Sequence, residues 1–177
     1  MAKVLLVVAP ERFRDEELFV TRDELKRGGH STVVASTRRG RCQGSRGGDV
    51  MARIALSAAE ARDYDAVVFV GGGGSKVLFA DVEALRLARE ARDLGRVIGA
   101  ICLAPVILAN AGVLNGKRAT VAGTEAKTIE ARGATYTGPG VTVDGHVVTG
   151  NAPKASRLFG QRISELLNKR AGGPTRR

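Results

Sequence analysis

Gly99-Ala100-Ile101-Cys102-Leu103-Ala104-Pro105 sets a cysteine between the end of an apolar run and the start of a helix. The run begins at Val97, and five uncharged residues in a row read as a strand buried on both faces, as parallel strands between helix layers are. Pro105 stands where a first helical turn tolerates proline, so a helix over Ala104–Ala111 follows at once. A strand, a sharp turn and a helix are the layout of a nucleophile elbow. The thiol of Cys102 then lies at the positive end of a helix, which favours thiolate, and the Leu103 N–H points where an oxyanion would sit. Position alone leaves a second reading open, a buried structural thiol beside the sheet.

Outward from the elbow, strands and helices alternate. Lys3–Ala9 is a buried-type strand, followed by a helix over Glu16–Arg27 with Asp15 as its N-cap and Gly28-Gly29 as its stop. Ser31–Ser36 is a second strand, Thr37–Asp49 an irregular basic loop, and Val50–Leu56 has short-strand character. Ala66–Val70 is a strand running into Gly71-Gly72-Gly73-Gly74. Asp81–Leu94 is a helix whose apolar stripe is Val82, Leu85, Ala88 and Leu94. Asp144-Gly145, between Val141-Thr142-Val143 and His146-Val147-Val148, is a two-residue hairpin signal. A last helix runs from about Lys154 to Asn168. This order predicts an α/β, flavodoxin-like three-layer sandwich: an open, mostly parallel sheet with helices on both faces and a small β-hairpin. In such sheets chemistry gathers at the carboxyl ends of the strands, after Ala9, Val70 and Ile101.

Those three ends hold the candidate groups. The bare amides of Gly71–Gly74 would face the same cleft as Cys102. They are no phosphate cradle of the P-loop kind, because Gly72-Gly73-Gly74-Ser75-Lys76-Val77 lacks both the Gly before Lys and the Ser or Thr after it. Glu17, in the first turn of the first helix, lies at the same rim. It would either share a proton with the thiolate or, with Asp15 and Glu16, merely complement the helix dipole. His30 opens the second strand, at the far rim, and His146 follows the hairpin turn, so a Cys-His dyad is not supported. Cys42, between Arg41 and Gln43, reads as a bystander thiol.

The 177 residues suit one domain over 1–170, with 171–177 as a loose basic tail. No apolar run reaches the roughly 20 residues that span a bilayer, and two cysteines make no disulfide framework, which together suggest a cytoplasmic protein. The 28 Lys and Arg outnumber 18 Asp and Glu, but they are dispersed, and aromatic residues are 4% with no Trp. Scattered charge without stacking platforms reads as a solvated surface rather than a specific nucleic-acid site.

Glu17, Gly71-Gly72 and Ala100-Ile101-Cys102-Leu103-Ala104-Pro105, in this order, resemble the ThiJ/PfpI (DJ-one/PfpI) superfamily. Glu16-Glu17-Leu18, Leu25-Lys26-Arg27-Gly28-Gly29-His30, Ala109–Lys117 and Val143-Asp144-Gly145 extend the likeness from Lys3 to about Leu167. The resemblance implies a homodimer or larger assembly and a reactive Cys102 hydrogen-bonded to a protonated Glu17. It implies the amides of Gly72 and Leu103 as oxyanion hole, Gly71 in support, and Arg46 as a match to an arginine that reaches the cysteine across the dimer. It implies no metal and no cofactor. Glyoxalase, deglycase, peptidase, chaperone and peroxide-sensing activities occur in the superfamily. Leu103 stands where the peptidase branch has histidine, Lys76 where it has the acid completing the triad, and Ala122 where other members carry His or Tyr. The expected activity is therefore conversion of glyoxal and methylglyoxal to hydroxy acids, with a non-enzymatic stress chaperone or redox sensor acting through oxidation of Cys102 as the alternative and weak peptidase activity a more distant one.

Overall fold

The computed structural model describes residues 1–171. In chain order the elements are β1 (Lys3–Val7), β2 (Glu11–Phe13), α1 (Asp15–Arg27), β3 (Ser31–Ser36), β4 (Gly40–Gly44), β5 (Asp49–Ala52), β6 (Ile54–Ala55) and β7 (Ala66–Phe69). Then come α2 (Val82–Asp93), β8 (Val97–Ile101), α3 (Pro105–Asn110), β9 (Arg118–Ala119), α4 (Ala126–Glu130), β10 (Thr135–Tyr136), β11 (Val141–Asp144), β12 (Val147–Gly150) and α5 (Ser156–Ala171).

The main sheet has the order β11-β12-β8-β7-β1-β3-β6, parallel throughout except for the β11–β12 hairpin. Side chains alternate across each strand, which divides the core in two. Val4, Leu6, Val68, Val97 and Ile101 point to one face and pack with Leu18, Leu25, Phe159 and Ile163 of α1 and α5. Leu5, Val7, Val67, Phe69 and Ile98 point to the other and pack with Ala84, Leu87 and Ile107 of α2 and α3. The fold is thus the expected helix–sheet–helix sandwich. The putting of β1, β7 and β8 side by side brings the segments after all three to one rim.

Three expectations are corrected. The basic stretch 37–49 is not irregular: β4 pairs antiparallel with β5 and parallel with β2, making a small three-stranded sheet. Asp15 is not the N-cap of α1. Arg14 occupies that position with no side-chain cap, and the Asp15 carboxylate instead accepts the N–H groups of Arg46 and Gly48 at 2.8 and 2.7 Å, pinning the β4–β5 turn. The buried face of α2 is Ala84, Leu87, Ala88 and Ala91, while Val82 is 77% exposed. Alanine at these positions lets α2 lie close to the sheet, so the small side chains, rather than the larger apolar ones, mark the inner face. The tail 171–177 lies outside the described residues beyond Ala171, which closes α5.

Candidate active site

The turn after β8 holds Cys102 at φ +64°, in the left-handed region that a cysteine rarely adopts. Strain of this kind costs roughly 1–3 kcal/mol and persists only where neighbours hold it. Here the Cys102 N–H donates to the carbonyl of Gly150 at 2.8 Å, and the Cys102 carbonyl accepts the N–H of Ala122 at 2.7 Å. The elbow is therefore clamped between β12 and the segment after β9, with its sulfur half-buried at the rim.

Glu17 comes to that sulfur from the first turn of α1. The three acidic residues of this turn have three separate tasks. Asp15 pins the β4–β5 turn, Glu16 pairs with Arg14, and Glu17 is buried without solvent contact. Glu17 Oε1 accepts the N–H of Gly71 at 2.8 Å, whereas Oε2 is buried with no hydrogen bond of ordinary geometry, beside the Cys102 thiol. Burial pushes the Glu17 carboxyl up to about 8, against the opposing pull of the Cys102 thiol and the Gly71 N–H. The free oxygen is the natural seat of that retained proton.

The Gly71–Gly72 turn closes the third side. A Cβ on Gly71 would stand 2.6 Å from Glu17 Oε1 and 3.0 Å from the Cβ of Cys102. Gly72 has φ +101°, and a Cβ there would meet the backbone nitrogen of Arg14 at 2.4 Å. Absent side chains let the Gly72 amide, with that of Leu103, act on the sulfur, and both lower its pKa. They do not prevail. The thiol is pushed up to about 12, first by burial and then by the charge and hydrogen bonding of Glu17. This reverses the shift expected from a helix N-terminus. The helix, α3, is only six residues long, and the nearest charge is a carboxyl. Thiol and carboxyl titrate as one pair, and the first proton lost leaves a single negative charge for both.

The model of the DJ-1/PfpI family matches residues 2–166. The chain belongs to the DJ-1/PfpI family. An uncharacterised protein of Methanocaldococcus jannaschii is 40% identical over 171 residues, 95% of this chain and 83% of that one. A deglycase of Pyrococcus horikoshii is 33% identical across 93% of this chain and 99% of its own. A glutathione-independent glyoxalase of Caenorhabditis elegans is 27% identical across 92% and 87%. Among solved structures, a ThiJ/PfpI domain protein from Brachyspira murdochii superposes with a TM-score of 0.92 at 32% identity, over 94% of this chain and 96% of that one.

The remaining expected residues of this DJ-1/PfpI chain fall as follows. Cys102, Glu17, Gly71, Gly72 and Leu103 come together. Arg46 does not join them within the chain; it is exposed in the β4–β5 turn, where its charge acts on Glu16. Lys76 is exposed, and Ala122 contributes a backbone amide to the elbow. His30 is buried near the N-terminus, accepting the Ala2 N–H at 3.1 Å, and His146 lies beside Arg170. Neither reaches Cys102. Cys42 is fully buried. The residue missed is Arg14. Its guanidinium is held above its ordinary value by hydrogen bonds to Glu16, with burial opposing and the charges of Glu16, Glu17 and Cys102 adding to it. Its place immediately before the acidic turn of α1 was the available signal. Among the described residues, no group of His, Cys, Asp and Glu is arranged to hold a metal, and no helix is long and apolar enough to cross a membrane.

Proposed function

We propose that this protein removes reactive α-oxoaldehydes, converting glyoxal and methylglyoxal to hydroxy acids with Cys102 as nucleophile and Glu17 as proton carrier. The observation that carries the proposal is a fully buried carboxyl, protonated into the neutral range, beside a cysteine held at positive φ under two backbone amides. The names of the deglycase and glyoxalase relatives support it.

The chemistry follows from the pair holding one proton. Sulfur adds to the aldehyde carbon as the carbonyl π electrons move onto oxygen, and the amides of Gly72 and Leu103 stabilise that oxyanion. Glu17 gives its proton to the oxygen, leaving a hemithioacetal and a carboxylate. The carboxylate then removes the proton from the aldehyde carbon and returns it to the neighbouring carbon, while the hydroxyl proton passes to the neighbouring oxygen, which yields an enzyme thioester. Water cleaves the thioester to hydroxy acid and restores the thiol. No redox partner is required, because one carbon is oxidised as its neighbour is reduced. Substrate addition is also what overcomes the high pKa of the thiol, since forming the S–C bond removes the charge that burial disfavours.

The test is lactate formation from methylglyoxal without added thiol. Wild type should turn over and Cys102→Ser should not. Equal rates in the two proteins would overturn the proposal.

A further inference from the structure

An open groove of about 520 Å³ has walls that include Arg14, Glu16, Val20, Ala152, Lys154 and Arg157. Both walls are tied to the site. The Arg14 N–H donates to the carbonyl of Gly71 at 3.0 Å, and Gly71 in turn donates to Glu17. On the other wall, Ala152 follows two residues after Gly150, whose carbonyl holds the Cys102 N–H.

The charge in the groove is unbalanced. Three cations face one carboxylate, Glu16, which is taken by Arg14 Nε and Nη2 at 3.1 and 2.8 Å. Arg14 Nη1 makes no hydrogen bond among the described residues, and Lys154 has no ion pair among them. Arg157 is 70% exposed and lies 4.0 Å from Glu24, which is already paired with Arg27 at 2.5 Å. Arg14, whose charge is coupled to that of Cys102, is thus half-committed, and Lys154 and Arg157 share the groove with at most a divided carboxylate between them. Such an arrangement attracts a small anion and leaves a neutral ligand unaffected.

We propose that this groove is a subsite for an anionic group, so that the preferred substrates are α-oxoaldehydes bearing a carboxylate or a phosphate ester. The substrate class rests on the aldehyde reading of Cys102, whereas the subsite does not. With the carbonyl carbon against the sulfur, the anionic end extends toward Arg14 Nη1, and Lys154 and Arg157 supply the field that draws it in. Arg14 acts as a specificity-determining residue and takes no proton.

Two alkylating reagents of one size, iodoacetate and iodoacetamide, separate the subsite from turnover. Their rates at Cys102 are followed by mass spectrometry in wild type, Arg14→Gln and the Lys154→Gln/Arg157→Gln double variant. The ratio of the two rates cancels any change in thiolate fraction, because both reagents need the same thiolate. The wild-type ratio of iodoacetate to iodoacetamide should exceed that of a free thiol. It should fall about fivefold in Arg14→Gln, the factor a unit charge about 4 Å away is worth in water, and should also fall in the double variant. Inorganic phosphate should slow iodoacetate alone. A wild-type ratio equal to that of the free thiol, or one unmoved by both variants, would overturn the subsite. The kcat/KM for α-oxoaldehydes with a terminal carboxylate and with a terminal phosphate, against methylglyoxal, then tells which anion is favoured. Charge-selective alkylation without turnover of any aldehyde would refute the aldehyde reading and uphold the subsite. Turnover of methylglyoxal with no charge selectivity would do the reverse.

Discussion

Replacing Glu17 by Gln should make the protein more stable at neutral pH while removing its activity. The carboxyl titrates at about 8 in the folded chain against 4.5 ordinarily, and its side chain has no solvent contact. Below about pH 4.5 folded and unfolded chains both hold the proton, so the acid carries no linked cost. Between about 4.5 and 8 the unfolded chain releases a proton that the folded one retains, so stability falls as pH rises, by about 1.4 kcal/mol per pH unit. By pH 7 the loss is roughly 3 kcal/mol, and above about 8 it levels off. Gln has the same shape and no charge to desolvate, and its N–H₂ occupies the place of the unpartnered Oε2. Urea denaturation of wild type and Glu17→Gln at several pH values isolates the effect, because every other titrating group is common to both. The variant should gain on wild type as pH rises from about 5 to 8, reaching about 3 kcal/mol near neutrality, or roughly 6–12 °C in Tm. Parallel stability curves would refute the claim that Glu17 is a buried carboxyl with a strongly raised pKa.

Other outcomes follow from the same geometry. Gly72→Ala should cost roughly 3 kcal/mol and abolish turnover, since an L residue at φ +101° is strained and the Cβ would press on Arg14; a folded, active variant would show that the turn has no such constraint. Under mild peroxide or iodoacetamide, peptide mapping should find Cys102 modified before the fully buried Cys42. Above about pH 8, where Glu17 is ionised, the Cys102 alkylation rate should rise in Glu17→Gln, because the charge that holds the thiol proton is gone. Peptide substrates should survive wild type uncleaved, as neither His30 nor His146 reaches the sulfur; cysteine-dependent cleavage would point to a base outside this site.

What the residues disclosed in advance was set by burial. Runs such as Val4–Val8 and Val97–Ile101 have no other place than the middle of a sheet between helices, so the sandwich and the rim bearing Cys102 were legible. The β2–β4–β5 sheet was not, because Gly40–Gly44 is polar and glycine-containing, and its order comes from backbone pairing and from Asp15, 31 and 33 residues before the N–H groups it holds, rather than from an apolar pattern. The same carboxylate explains why an N-cap reading of Asp15 failed. Glu17 was legible as a candidate through its position, but its protonation depends on burial, which a neighbouring turn at Gly71 completes. The sign of the Cys102 shift escaped for a like reason: a helix N-terminus is visible in the sequence, whereas the distance to a buried carboxyl is not.

The division of labour between sulfur and carboxyl is tested most directly by intact-protein mass spectrometry after brief exposure to methylglyoxal. In Glu17→Gln the sulfur still adds to the aldehyde, but no group remains to move the proton between carbons. That variant should accumulate one methylglyoxal mass on Cys102, while wild type shows little adduct and releases lactate and Cys102→Ser shows neither. Lactate released by Glu17→Gln at the wild-type rate, with no adduct at Cys102, would contradict the account.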